Sequence, residues 1–597
     1  LDVLVKGFVN PWGHQFDRYG AQFATDGAYG EGINYLFPGA TYVSSPGARR
    51  IVKGLNPGSP KHCGLELISG RHFPDDWQGN AITADFRGHR VCRFVLSEDG
   101  SGFASREQQE LLKSTHVAFR PVDIKMGPDG ALYIADWYNP IIQHGEVDFR
   151  DERRDRRHGR IWRITYKGRP LVQPPRLVGV PTPQLLDALR EPEDWTRQKA
   201  RRLLRERGLE ILPDLQQWVA GLDRRDPAYD TYRLEALWLY QALRHVEPDL
   251  LTQLVRSESP QVRAAATRVL GDWQDKVGRS LELFAELVND EHPRVRLEAV
   301  SALAASRDPR AAELAMQALD HPVDRFLDYA LWNTARTLEP IWVAALKRGE
   351  ISFDGRATHL TFALEAAGSP AVIEPLMNLL REGKIPPQQQ AGVLSLVAAL
   401  GSGQELQTVF ELALADELTV AARVQLLDAL ADAALRRKTK PQRRLSEVVR
   451  ILNDDQQPDA LRAAAARAAG AWKVTEASQG LAELATDQQT SAELRQAALE
   501  SLRLISPQES AAICRSIVRG NQYPHAVKAI AVASLAEVDP QAAAQSAVEV
   551  MSGEPGEEAI NHIFSAFLTK KSGPEALQQA LTGARLPADV AKLGLRL

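Results

Sequence analysis

One helical pattern, Arg-x-x-Ala-x-x-x-Leu, recurs through most of this 597-residue chain. Arg263 is followed by Ala266 and Leu270, Arg296 by Ala299 and Leu303, and Arg495 by Ala498 and Leu502; looser copies begin at Arg197, Arg233, Arg325, Arg423, Arg462 and Lys528. Ten steps between Arg197 and Lys528 give a period of about 33 residues. Offsets of three and seven put the small and the large apolar residue on one helical stripe. Pro260, Pro293 and Pro322 each stand three residues before an Arg. A first-turn Pro is harmless because that N–H is unpaired in any helix, so all three are expected to mark helix starts. Each unit then holds two short helices, as in residues 280–288 and 294–303. Neither can bury its stripe alone, so neighbours must stack, which makes residues 182–597 an all-α solenoid of about 11–12 helix pairs.

The period and the Pro-x-x-Arg-x-x-Ala pattern resemble HEAT repeats, especially the short variety of the phycobilisome lyases. The resemblance implies a protein partner on an extended concave surface. The repeated Arg side chains could present phosphate-binding charge, but their fixed phase points to a structural ladder in which each pairs with an acid or helix end next door. Trp238 and Trp332 fall on apolar stripes and are expected in the core.

Residues 1–166 differ in composition, being rich in Gly, aromatic residues and turn signals, and residues 167–181 read as a Pro/Gly-bearing linker. Residues 82–86 and 90–96 flank Arg87-Gly-His89, a hairpin pattern. Residues 122–126 and 131–136 flank Gly127-Pro-Asp-Gly130, where Pro128 presets φ and Gly130 accepts a positive one. A closing strand is expected at 159–166. Short strands at this density predict a propeller or a sandwich.

Composition narrows the partners. With 72 Lys+Arg against 76 Asp+Glu, the net charge of −4 argues against bulk binding to nucleic acid or anionic membrane. No apolar run approaches the roughly 18 residues of a membrane span. Cys63, Cys92 and Cys514 form neither a CxxC zinc pair nor a CxxCH haem site, and a Cys63–Cys92 bridge is left open. The chain opens at Leu1 without a leader-like segment, read as processing or a fragment.

Gly7-Phe-Val-Asn-Pro-Trp-Gly-His14 with Phe16-Asp17 resembles the Gly-x-Arg-Asn-Pro-x-Gly strand of the glucose/sorbosone dehydrogenase family. Ser59-Pro60, Gly64-Leu-Glu66, Phe73 to Gly79, Arg120-x-x-Asp123, Gly127 to Tyr133 and Gly159 to Arg163 follow in that family's order. Joined to HEAT repeats, this is similar to the large membrane-bound dehydrogenases of the PVC-type haem-binding CxxCH family, on Asp136 to Pro140, His144 and the stretch from Arg154 to Arg163. The fold implied is multidomain β + α, the C-terminal blades of a six-bladed-type β-propeller followed by the solenoid. The resemblance further implies an envelope oxidoreductase in the periplasm that oxidises a sugar or related alcohol. Its cofactors would be pyrroloquinoline quinone (PQQ) and Ca²⁺, and its electrons would pass to a c-type haem module outside this chain. First blades, secretion signal and catalytic base would also lie outside it, leaving this fragment inactive alone. The alternative is a non-catalytic scaffold that binds carbohydrate or protein partners.

On matching positions, Asn10 and Arg120 carry over as cofactor contacts, while Val9 stands where the family has an Arg; the competing roles are an Asn-Pro turn and an ion pair of Arg120 with Asp123. His14 and Asp17 could form a polar pair in the central channel, with Asp26 on the next strand, or stabilise the blade. His62, after Lys61, could meet substrate from a mouth loop. Arg150 to Arg163 holds seven Arg and three acids. There Arg154, Asp155 and His158, with His144, could bind an anion or sugar, or could pair among themselves. Asp123, Asp129, Asp136 and Asp148 match no calcium loop, and no metal site is assigned.

Overall fold

The computed structural model describes residues 3–27, 32–43, 45–55, 61–143, 147–385, 387–553, 555–568 and 572–594. They fall into two compact units, Leu1–Ala367 and Gly368–Leu597.

The first unit begins with three antiparallel sheets. One comprises β1 (Pro11–Phe16), β2 (Gln22–Asp26) and β3 (Ile33–Leu36); the next, β4 (His62–Leu67), β5 (Ala81–Asp85), β6 (Arg90–Asp99) and β7 (Gly102–Glu107), with β8 (Leu112–Lys113) beside β6. The third comprises β9 (Pro121–Met126), β10 (Leu132–Asp136) and β11 (Arg160–Ile164). Strand β1 packs on β4, and β4 on β9, so the sheets stand as consecutive blades of a partial propeller. Glycine permits the close approach: a Cβ on Gly13 would lie 2.5 Å from the Gly64 backbone, and one on Gly64 2.9 Å from the Asp123 backbone. Glu66 ties the same three strands, accepting from Gln15 Nε2, from Leu67 N at 3.0 Å and from Met126 N at 2.9 Å. Burial pushes its pKa up in spite of these donors.

Both expected hairpins form, as β5–β6 and β9–β10, and Gly130 has φ +77°. Ile82, Ala84, Val91, Phe119, Ile124, Leu132 and Ile134 fill the space between the second and third sheets. The Cys63–Cys92 bridge does not form, and both thiols are free and buried. Cys63 lies on β4 and Cys92 on β6, with β5 between them, so their backbones are about 10 Å apart, beyond disulfide reach.

Residues 165–181 carry neither helix nor strand. The helices of the first unit are α1 (Thr182–Asp187), α2 (Asp194–Arg207), α3 (Leu212–Ala220), α4 (Tyr229–Ala242), α5 (Pro248–Leu254), α6 (Pro260–Trp273), α7 (Ser280–Leu287), α8 (Pro293–Leu303), α9 (Arg310–Met316), α10 (Arg325–Lys347) and α11 (Ala357–Ala367). Pro260 and Pro293 occupy first turns as expected. Pro322 does not, because α10 starts later under an Asp324 cap that accepts from Phe326 N at 2.9 Å and Leu327 N at 3.1 Å.

The compact division falls at 367/368 because the sheets pack on these helices. Arg294, its side chain 2% exposed, reaches Glu98 at 3.1 Å and Asp17 at 3.5 Å and lies 4.7 Å over the Phe103 ring. Asp324 accepts from Ser101 Oγ at 2.7 Å, and Glu193 from Arg71 N at 3.0 Å and Arg71 Nε at 2.9 Å. Trp332 is half-buried between Arg50 and Arg336, at 5.3 and 5.2 Å, rather than in the core.

The second unit continues as α12 (Ile373–Arg381), α13 (Pro387–Leu400), α14 (Gly403–Leu414), α15 (Val420–Asp432), α16 (Val448–Asn453), α17 (Asp459–Trp472), α18 (Ser478–Thr486), α19 (Ala492–Ile505), α20 (Pro507–Arg519), α21 (His525–Ala536), α22 (Pro540–Ser552), α23 (Glu557–Leu568), α24 (Gly573–Leu581) and α25 (Ala588–Gly594). The arginine ladder is structural. Arg423, Arg462 and Arg495 donate Nε–H to Ala413, Leu452 and Ala485 carbonyls at 3.0, 3.1 and 3.3 Å, ten residues back in each case. In the first unit Arg197, Arg263 and Arg296 donate instead to carbonyls six residues back, at 2.6, 2.9 and 2.7 Å. Arg325 leaves the ladder, being exposed and donating to the Lys53 carbonyl at 3.3 Å. No helix among the described residues is long and apolar enough to cross a membrane.

Candidate functional site

The residues singled out from sequence do not converge. Asn10 is exposed, its backbone N–H bound to Asp26 at 3.1 Å, whereas Arg120 is buried. The Arg120 guanidinium donates to carbonyls of Asn139 at 3.0 Å, Phe86 at 2.9 Å and Pro140 at 3.1 Å, knitting two loops together. Asp123 pairs with Lys125 at 3.7 Å instead of Arg120. His14 does not pair with Asp17. Its Nε2 lies 3.1 Å from Gln22 Oε1, while Asp17 accepts from Tyr19 N at 2.9 Å and Ala21 N at 2.7 Å, closing its own turn. Asp26 is buried and receives Val9 N at 2.9 Å. His62 lies on no mouth loop: it opens β4, is buried, and has its pKa lowered to about 4 by desolvation.

His144 lies outside the described residues. Of its expected companions, Arg154 donates to carbonyls of Asp148 at 3.1 Å, Gln143 at 2.9 Å and Val147 at 2.8 Å. Asp155 receives Arg157 N and His158 N at 2.9 Å and faces His158 Nδ1 at 2.8 Å, donors that hold its pKa down at about 2. The segment therefore closes on itself, as the pairing alternative has it. Asp129 is held by its turn and by Arg163 at 3.0 Å, and Asp136 receives Arg120 N, Tyr138 N and Trp162 Nε1. No group of three or more metal-ligating side chains occurs among the described residues.

Neither Val9 nor Arg120 offers a free cation to PQQ. A quinone carrying carboxylates needs free cationic donors, yet Arg120 is occupied by carbonyls and Val9 offers none.

A different site lies within the first unit. A cleft of about 1060 Å³ opens between the first blade and helices α2, α4, α6 and α8. His14, Phe16 and Gln22 contribute one wall; Gln198, Arg201, Trp238, Gln241, Arg268 and Asp272 contribute the other. Three of its arginines are held by carboxylates. Arg201 binds Glu235 bidentately, with Nε at 2.7 Å, and lies 5.2 Å over the Trp238 ring. Arg202 reaches Glu206 at 2.8 Å, and Arg268 joins Glu298 to the Tyr19 carbonyl, clamping the β1–β2 turn. Gln241 donates to Asp272, whose pKa is raised by burial. Four arginines and four carboxylates line the cleft, so it carries no net charge.

Sequence reasoning placed Trp238 in the core and missed this site, although a signal for it exists. Arg202, Trp238, Arg268 and Ser301 each follow a ladder Arg by five residues, about 140° round the helix from the ladder stripe. The period that sets the ladder thus also sets the cleft wall.

Two sequence families match parts of the chain: a domain of unknown function (DUF7133) over residues 58–168, spanning β4 to β11, and HEAT repeats over residues 247–333. No curated protein matches it. Among solved structures, a protein of Thermus thermophilus named as an oxidoreductase (glucose dehydrogenase) is 23% identical, covering 23% of this chain and 42% of its own, with a TM-score of 0.18. A Kap121p mutant is 14% identical over 70% of this chain and 53% of its own (TM-score 0.39), and importin β is 13% identical over 69% and 64% (TM-score 0.35). The chain thus spans less than two thirds of each of these structures, and none of the three bears on function. The architecture is a β-sheet region of propeller type followed by a HEAT-repeat α-solenoid.

Proposed function

We propose that this chain is a non-catalytic binding scaffold whose ligand sits in the cleft between the first blade and helices α2 to α8. The observation that carries this reading is the cleft itself. It is concave, formed jointly by both kinds of element, and walled by side chains already locked to one another, so it is preorganised for binding. Among the described residues of its lining, His14 is paired with Gln22 and Ser301 Oγ with no base, so no nucleophile–base pair of the kind acyl or phosphoryl transfer needs is formed. The experiment is to load the protein with PQQ and Ca²⁺, remove excess cofactor, and follow dye reduction over a panel of sugars and alcohols. The scaffold reading expects no retained quinone absorbance and no turnover; cofactor-dependent turnover would overturn it.

A second reading keeps the envelope oxidoreductase, with PQQ and Ca²⁺ as cofactors, a c-type haem as acceptor and a periplasmic location. It is favoured by where the motifs fall: Gly64 to Glu66 within β4, Gly127 to Tyr133 joining β9 to β10, and Gly159 to Arg163 opening β11. In the same assay, quinone retained after the excess is removed decides between the two, whether or not turnover follows. A protein partner on the solenoid accords with either.

A further inference from the structure

The geometry points to a neutral oligosaccharide as the occupant of the cleft, an inference that rests on the scaffold reading and narrows it. Three features select this ligand class. First, the four arginines and four carboxylates of the lining balance, and Arg201, Arg202 and Arg268 are each paired with a carboxylate, Glu235, Glu206 and Glu298 in turn. A charged ligand would find no net field.

Second, the remaining hydrogen-bonding groups are planar and bifunctional. Gln198 offers both amide donor and carbonyl acceptor, while on opposite walls Gln22 keeps its amide N–H₂ beside His14 and Gln241 its carbonyl beside Asp272. Sugar hydroxyls, each donor and acceptor, suit such groups. An amphipathic helix would need a continuous apolar groove, whereas the walls here carry charged and amide side chains. Third, aromatic surface is present on both sides. Phe16 is 44% exposed, Trp238 is half-buried with Arg201 over its ring, and the exposed parts of such rings pack against the C–H surface of a pyranose. The volume of about 1060 Å³ exceeds the usual small-molecule range of roughly 300–1,000 Å³, which favours an extended chain over one monosaccharide.

The test is calorimetric titration of the whole chain with neutral tetrasaccharides (cello-, xylo- and mannotetraose), with tetragalacturonate and a hexaglutamate peptide as anionic counterparts. At least one neutral tetrasaccharide is expected to bind, and Trp238→Ala to weaken it about tenfold. Because Trp238 also backs Gly20 of the β1–β2 turn, Gln198→Ala provides a second variant that leaves the turn untouched. Hydrogen exchange should show ligand protection in residues 11–16 and 229–242 of the parent protein, lost in both variants. Binding of only the anionic probes, binding unaffected by either variant, or no binding by any tetrasaccharide would overturn the assignment. None of these outcomes bears on the dye-reduction assay, whose turnover would instead overturn the scaffold reading.

Discussion

Buried polar side chains are held differently in the sheets and in the helices of this chain. In the sheets each has its own arrangement: Asp26 receives two successive backbone amides, Glu66 joins three strands, and Arg120 fills the carbonyls of two loops. In residues 368–597 the buried arginines repeat one bond, Nε–H to the carbonyl ten residues back. A stacked repeat gives every copy the same surroundings. Blades that converge give each inner strand a different neighbour. A buried charge in the solenoid is therefore read from its phase, and one in the sheets only from its partner.

The largest effect is expected where the sheets meet the helices of their own unit. Arg294→Ala leaves Glu98 and Asp17 without their buried cation and should cost about 3–5 kcal/mol, read by hydrogen exchange in β6, β7 and α8. Unchanged protection there would remove Arg294 as the joint between sheets and helices.

Next is a pH effect confined to the sheets. Burial lowers the His62 pKa to about 4, below its ordinary 6.5, so below pH 6.5 the unfolded chain binds the extra proton first. The stabilisation is complete above 6.5 and falls as pH drops towards 4, by about 3 kcal/mol in total. His62→Phe should flatten that part of the profile in chemical unfolding between pH 7 and 4; a parallel profile would place His62 in water.

The ladder gives a smaller but repeated effect. Arg263→Ala, Arg423→Ala and Arg495→Ala should each cost about 2 kcal/mol, since each loses a charged hydrogen bond to a buried carbonyl. Similar local losses of protection would sharpen the periodic reading, whereas a wide scatter would break it. The smallest effect belongs to the exposed Arg50–Asp328 pair, 2.7 Å apart: Arg50→Ala should change stability by about 0.5 kcal/mol or less, and salt should erase the difference.

The fold was largely legible in the sequence, because periodicity of three to four and turns such as Gly127-Pro-Asp-Gly130 are local signals. Pro322 misled because a cap at Asp324 outcompeted it as the helix start. The candidate site was legible only in part, since the helix wall of the cleft repeats with the ladder and its blade wall does not. His62 looked like a loop residue beside Lys61, yet strand pairing with Asp85 buries it. Arg154 looked available to an anion, yet the backbone of its own loop surrounds it.

What the sequence determined by itself was the repeating ladder, the blade hairpins and the boundary in composition near residue 170, since each depends on neighbours within a few residues or one period. Only the tertiary structure decided that the sheets join the first helices in one compact unit, that Arg120 belongs to the loops, and that Phe16 and Trp238 face one cleft. Those facts depend on groups from 19 to 249 residues apart, as with Arg120 and the Asn139 carbonyl or Arg268 and the Tyr19 carbonyl, and no local pattern encodes which distant group a side chain will meet.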